Sequence, residues 1–337
     1  MIRRDFLKYL SAAALPASLS ASSDKWGAVL PKRVLGRTGV PVTLLGLGGY
    51  HIGWTSEAEA AATIETALAG GIRFFDTAES YGPETSEIRY GQYLTPQYRD
   101  EIYLMTKSTE RNPVEARKHL EGSLRRMKTD WIDLWQIHSL RDSEDADRRV
   151  DNGILEMALK AQAEGKIRHI GFTGHRDPRG HSRILERTAQ MDSEPFHACQ
   201  FPVNPVDLSS NSSFIRDFMP AAQGRDLGLI AMKSLADGRF FAKKSMPWNE
   251  SYWTTEDPLI PEVLTVEDCT RFALSLPVAT LVVGAEKPAF VEDKIQVAQA
   301  FTAMGPSARE AAIQKVARFA AAAEVEYYKE ETLRPPA

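Results

Sequence analysis

The chain has 337 residues, 43% hydrophobic and 26% charged, with a formal net charge of −4 at pH 7. That length suits one α/β barrel or two smaller domains, and the composition is that of a folded domain with a sizeable core. The charge balance gives no ground for a nucleic-acid or anionic-membrane partner. Cys199 and Cys269 stand at no metal-like spacing, so no metal site is expected. They read as buried apolar residues in a strand and a helix, with a disulfide between them left open.

Residues 1–23 read as a signal peptide. Arg3 and Arg4 precede Phe6, Leu7 and Lys8, followed by a weakly apolar run and small residues from Ser18 to Ser23. The RRxFLK core resembles a twin-arginine export signal, which implies the twin-arginine translocase as a partner during export and a periplasmic mature protein. A cytoplasmic enzyme with an inefficient signal is the alternative. The apolar run is far shorter than the roughly 20 residues that span a bilayer, so no stable membrane insertion is expected.

The rest, residues 30–335, reads as a single domain. KRVLGRTGVPVT forms a hairpin around Gly36–Gly39 that caps one end. LLGLGGY is a buried first strand. SEAEAAATIETALAGG is a helix with Ser56 as N-cap and a Gly-Gly stop. RFFDT, IYLMTKS, WIDLWQIHS, IRHIGFTGH, HACQFPVN, LGLIAMKSL and VATLVVGA then alternate with helical segments, among them NPVEARKHLEGSLRRMKT, with Pro113 in its first turn. Strand–helix alternation implies parallel strands, and about eight such units close a barrel. The fold class is therefore α/β, a (β/α)8 TIM barrel with an N-terminal β-hairpin cap and an extra C-terminal helix. A doubly wound sheet is the runner-up, but LGLGGYHIG lacks the GxGxxG spacing of its phosphate loop. The loop from Ala236 to Thr265 is long and aromatic (Phe240, Phe241, Trp248, Tyr252, Trp253), a lid or binding loop, or else a surface loop packed on itself.

Three successive strand tips end on ionisable or hydroxylated residues: Asp76 and Tyr81 after RFF, Lys107 after IYLMT, and His138 after WIDLWQI. Singly, each has a plain explanation as a turn cap, a rim aromatic, a solvated lysine or a strand-end histidine. Together they can do chemistry. A phenol with an ordinary pKa of about 10 becomes a usable acid when an ammonium favours its phenolate. A carboxylate positions that ammonium, and an imidazole orients a carbonyl oxygen. Hydride must come from a cofactor.

FFDTAESYG, LMTKS and LWQIHSL, with LGRTGVPVTLLGLGG before them and GKIRHIGFTG after, resemble the aldo-keto reductase family over roughly residues 32 to 300. The resemblance implies a barrel that binds NADP(H), with NAD(H) as the alternative, across its C-terminal rim. It implies Tyr81 as general acid/base, Lys107 as tuner of its pKa, Asp76 as the partner of Lys107, and His138 as carbonyl orienter. For the cofactor it implies Thr173 and Gln200 at the nicotinamide amide and Met232 with Lys233 where a stacking Tyr is common. Gly284, Lys287, Asp293 and Lys294 lie at the adenosine end, with Phe290 where an Arg or His is usual. Lys287 or Lys294 would meet a 2′-phosphate. The function expected is an exported oxidoreductase that interconverts a small-molecule carbonyl, a sugar among the candidates, and an alcohol. The alternative is an idle nicotinamide-binding sensor or assembly subunit.

Overall fold

The computed structural model describes residues 22–238, 240, 263–320 and 325–329. Eight parallel strands close into a barrel. They are β1 (Leu45–Gly48), β2 (Phe74–Asp76), β3 (Tyr103–Ser108), β4 (Ile132–Ile137), β5 (Ile167–Thr173), β6 (Ala198–Pro202), β7 (Gly228–Met232) and β8 (Thr280–Val283). β8 pairs with β1, and β5 with β6, which completes the ring. The expected barrel is the observed one, and the doubly wound sheet is excluded.

The main outer helices are α1 (Glu57–Ala69), α2 (Thr85–Tyr93), α3 (Pro113–Arg126), α4 (Ile154–Ala163), α5 (Pro178–Thr188), α6 (Met219–Gly224), α7 (Val266–Leu274), α8 (Pro288–Gln299) and α9 (Pro306–Val316). Their ends follow local chemistry. The Ser56 side chain accepts the Glu59 N–H at 3.3 Å, and Glu57 and Glu59 sit in the positive first turn of α1. Gly71 ends that segment at φ +93°, where a β-carbon would lie 2.7 Å from Leu30 N. Asn112 caps α3, with Pro113 at its first position.

Inside the barrel, Phe74, Tyr103, Met105, Leu134, Ile230 and Val282 pack together, and Leu35 and Val42 join them from the hairpin of Lys32–Val34 and Pro41–Thr43. Glycine at position 46 makes room for this layer, since a β-carbon would meet the Phe74 ring at 2.5 Å. A larger apolar layer, with Trp135, Phe172, Leu120 and Ile64, lies between strands and helices. Cys199 in β6 and Cys269 in α7 are free and buried.

Four features depart from the sequence reading. A second hairpin, Ser22–Asp24 with Gly27–Val29, precedes the expected boundary, so Ser22 and Ser23 belong to folded structure. It is held by Asp24, which meets the buried Arg73 guanidinium at 2.7 Å. SSFIRDFMPAAQGRD, one of the helical segments in the alternation, breaks at Phe218 into two short helices, because Pro220 cannot donate to a continuous ladder. A polar helix, Ser143–Asp151, precedes α4. The tail helix ends at Val316, its Arg309 donating to the Ser275 carbonyl at 2.8 Å; residues 325–329 return to the loop after β6, where Lys329 Nζ meets Asp207 at 2.6 Å.

Residues 1–21, with Arg3 and Arg4, lie outside the described residues, as do Phe241, Trp248, Tyr252 and Trp253; Phe240 is buried. Among the described residues no helix is long and apolar enough to cross a membrane, and no three His, Cys, Asp or Glu side chains gather as metal ligands.

Candidate active site

β2, β3 and β4 end side by side, so parallel pairing alone brings their tips together. Lys107 is 1% exposed, and its three protons have three acceptors. Nζ pairs with Asp76 Oδ1, donates to the Thr77 carbonyl at 2.7 Å, and lies 3.4 Å from the Tyr81 hydroxyl. The other Asp76 oxygen accepts from Gln200 Nε2 at 3.2 Å. The His138 ring stands edge-on to Tyr81, centroids 5.7 Å apart, and Tyr50 also packs edge-on to Tyr81 at 5.4 Å. All four residues expected to act together are in one cluster.

Burial governs the protonation states. It pushes the Tyr81 phenol well above its ordinary value, and Asp76 and Glu79 add to the effect. The sequence reading has Lys107 lowering that pKa; in the folded site desolvation and the two carboxylates raise it. Burial lowers the Lys107 ammonium and raises the Asp76 carboxyl, and each opposes the other's shift by pairing. Burial, with Lys107 next, brings His138 down to about 3. At neutral pH the site therefore holds a protonated phenol and a neutral imidazole. Such a pair can hydrogen-bond one substrate oxygen, and the phenol can give it a proton.

Sequence reasoning missed the residues that aim His138. Its N–H donates to the Ser108 carbonyl at 2.9 Å, and its carbonyl accepts from Arg149 at 2.8 Å. Arg149 is fully buried, also donates to the Glu110 carbonyl at 3.1 Å, and pairs with Asp145 at 3.5 Å. It belongs to the unforeseen helix Ser143–Asp151, whose polar sequence concealed a buried face. Tyr50 was missed too, on a short helix, Gly49–Trp54, read only as the end of the first strand.

The residues expected at a cofactor divide. Thr173 and Gln200 pair across β5 and β6, 2% and 1% exposed, and Gln200 Oε1 is buried with no hydrogen-bond partner among the described residues. That orphaned acceptor, beside a hydroxyl, suits the N–H of a carboxamide. Met232 ends β7, half-buried. Lys233, at φ +56°, is turned to the C-terminal segment, 3.4 Å from Asp237 and over the Tyr328 ring at 5.0 Å. Gly284 follows β8 and lies against the His51 ring, which a β-carbon would meet at 2.4 Å. Lys287 is exposed at the start of α8. Asp293 lines an outer groove between α7 and α8 with Arg271 and Gln296. Lys294 is 6% exposed and bonds the Phe290 carbonyl at 2.6 Å, so its ammonium is spent inside its own helix.

A closed parallel barrel with its ionisable side chains gathered at the C-terminal strand tips has the reactive rim of a barrel enzyme. The chain belongs to the Aldo/keto reductase family, whose model matches residues 44–258. It is 31% identical over 231 residues to the "Uncharacterized oxidoreductase YrpG" of Bacillus subtilis (strain 168), covering 60% of this chain and 66% of that one. It is 28% identical over 233 residues to L-galactose dehydrogenase of Arabidopsis thaliana, covering 64% and 69%. The chain thus spans about two thirds of the length of these relatives. Among solved structures, aldo-keto reductase AKR11C1 from Bacillus halodurans (holo form) superposes with a TM-score of 0.68 at 21% identity, covering 85% of this chain and 96% of that one. Glycerol dehydrogenase AKR11B4 from Gluconobacter oxydans gives 0.65 at 21% identity, covering 85% and 95%. At that identity these two bear on the fold alone.

Proposed function

We propose that the chain is a nicotinamide-dependent oxidoreductase that interconverts a carbonyl and an alcohol, with Tyr81 as proton donor and acceptor. The observation that carries this reading is the Tyr81 hydroxyl, 3.4 Å from Lys107 Nζ and flanked by a neutral His138. When bound, the cofactor supplies or takes up hydride, which no side chain can do. Gln200 and Thr173 would hold its carboxamide. In reduction, His138 orients the substrate oxygen and Tyr81 gives it a proton as charge builds there. Lys107, held by Asp76 and Thr77, then stabilises the phenolate left behind. A neutral imidazole is a weaker acid than a phenol, so in this reading Tyr81 gives the proton and His138 orients the oxygen.

NADP(H) is preferred to NAD(H) on Lys287 alone, the exposed cation at the start of α8. The name of the Arabidopsis relative, L-galactose dehydrogenase, supports a sugar as substrate class. The Arg3-Arg4 signal supports export by the twin-arginine route to the periplasm, where cofactor that stays bound would be needed for turnover. Changing both arginines to lysine should trap the protein in the cytoplasm; normal export of that variant would remove the twin-arginine reading.

The test of the chemistry is Tyr81→Phe, assayed with NADPH and para-nitrobenzaldehyde. Turnover should fall by about 100-fold or more, the usual loss with a general acid, while NADPH still binds by fluorescence titration. Parent-like turnover would overturn the assignment.

A further inference from the structure

Glu79 lies two residues before Tyr81 in the same loop and is 6% exposed. Its carboxylate turns toward the tip of β3, where Oε1 accepts the Thr109 N–H at 2.9 Å and the Thr109 hydroxyl at 2.7 Å. His119 reaches in from α3, its Nδ1 3.5 Å from the same oxygen and 3.0 Å from Ser108 Oγ. The Ser108 carbonyl in turn accepts the His138 N–H. One carboxylate thus ties the Tyr81 loop to the strand end that carries Lys107 and anchors His138. Its second oxygen, Oε2, is buried with no hydrogen-bond partner among the described residues. A buried carboxylate oxygen left without a donor is costly, so packing alone gives no reason for that half of the group.

We propose that Glu79 is a positioning residue for the proton donor: it pins the Tyr81 loop to β3 and supplies the negative potential in which the phenol holds its proton. The proposal rests on the reading of Tyr81 above. At the phenol, the attraction of Lys107 for a phenolate is met by Asp76 and Glu79, with Tyr50 and Asp237 acting in the same sense as the carboxylates. At Glu79, the cations are His119 and, when protonated, His138. His119 itself faces Glu110 and Arg126. Burial works against the Glu79 carboxylate, yet His119, His138 and Thr109 hold its pKa down to about 2, so it is charged throughout the working range. Its bond to Glu79 raises the His119 imidazole despite partial burial, but the ring still loses its proton long before a buried phenol does. Where Tyr81 titrates, Glu79 is therefore unopposed by His119.

The experiment is the pH profile of kcat/KM for reduction of para-nitrobenzaldehyde by NADPH. Glu79→Gln keeps an oxygen for both Thr109 donors and removes the charge. Its alkaline limb should move down by about one pH unit, which is tenfold in rate on that limb. Glu79→Asp keeps the charge, so its limb should stay with the parent even where kcat falls. His119→Gln should leave the limb in place, whereas His119→Lys carries a cation into the alkaline range and should move it down. A limb that coincides in parent and Glu79→Gln, or that moves as far in Glu79→Asp, overturns the proposal. If Glu79→Gln does not fold, an unmoved limb in His119→Lys overturns it instead. Tyr81→Phe, run alongside, separates the two readings. Full turnover there removes the assignment of Tyr81. Lost turnover there, with an unmoved limb in Glu79→Gln, removes only the role of Glu79.

Discussion

The barrel rim has two arcs that differ in how their charges are held. From β2 to β4, Asp76, Lys107, Glu79 and His138 are all at most 9% exposed and engage one another or their neighbours' backbones. Past β8, Lys287 and Asp293 are exposed, and the buried Lys294 bonds its own helix. A buried charge must have its complement nearby, so each residue of the first arc constrains the identity of the next. An exposed charge is solvated and constrains nothing. The contrast explains why the residues of the first arc form a recognisable constellation and those of the second do not.

The most severe way to break that contrast is Lys107→Met. It leaves Asp76 buried with only Gln200 as hydrogen-bond partner, and a broken buried pair costs about 3–5 kcal/mol. Urea denaturation at neutral pH should show a loss of that size. A loss within 1 kcal/mol, about that of an exposed pair, would mean that the two arcs are electrostatically alike.

Acid reaches the same arc through Glu79. Its folded carboxyl titrates at about 2 against an ordinary 4.5. A depressed carboxyl contributes stability that is complete above its unfolded value and lost as pH falls toward its folded one. The interval corresponds to about 3 kcal/mol, withdrawn between pH 4.5 and about 2. Comparing denaturation of the parent and Glu79→Gln from neutral pH to pH 3 checks this: the variant should depend less on pH across that window, and parallel curves would contradict it.

Arg149→Leu should cost somewhat less, about 2 kcal/mol, for the lost charged hydrogen bonds to the His138 and Glu110 carbonyls. Asp145 keeps Arg111 at 2.6 Å, which limits the damage. KM for a carbonyl should rise with it, because the His138 backbone is released. Unchanged KM in a destabilised variant would confine Arg149 to the fold.

These cases mark what was legible in the chain. Strand–helix alternation yielded the barrel, because parallel strands need crossovers whatever their detail. Asp76, Tyr81, Lys107 and His138 were legible because strand tips turn sequence order into spatial order. Arg149 and Tyr50 were not, since each sits on a short helix without a long apolar period. Glu79 stood in view beside Tyr81 and carried no signal, because its partners, Thr109 and His119, lie one strand away. The return of residues 325–329 to the rim was hidden for the same reason: Lys329 and Asp207 are 122 residues apart.

The smallest expected effect probes the exposed arc. Lys287 is exposed at the N-terminus of α8, where a phosphate would meet both its ammonium and the helix dipole. Solvent screens such a cation, so Lys287→Ala should weaken NADPH binding only a few-fold and leave NADH binding unchanged. Lys294→Met should alter neither, because its ammonium already serves the Phe290 carbonyl. Fluorescence titration of both cofactors at two salt concentrations provides the check, and the Lys287 effect should shrink at the higher one. Equal losses for NADH and NADPH would mean that Lys287 meets some part of the cofactor other than a 2′-phosphate. A loss in Lys294→Met larger than in Lys287→Ala would mean that the buried lysine swings out on binding, and the division of the rim into two arcs would then hold only for the free protein.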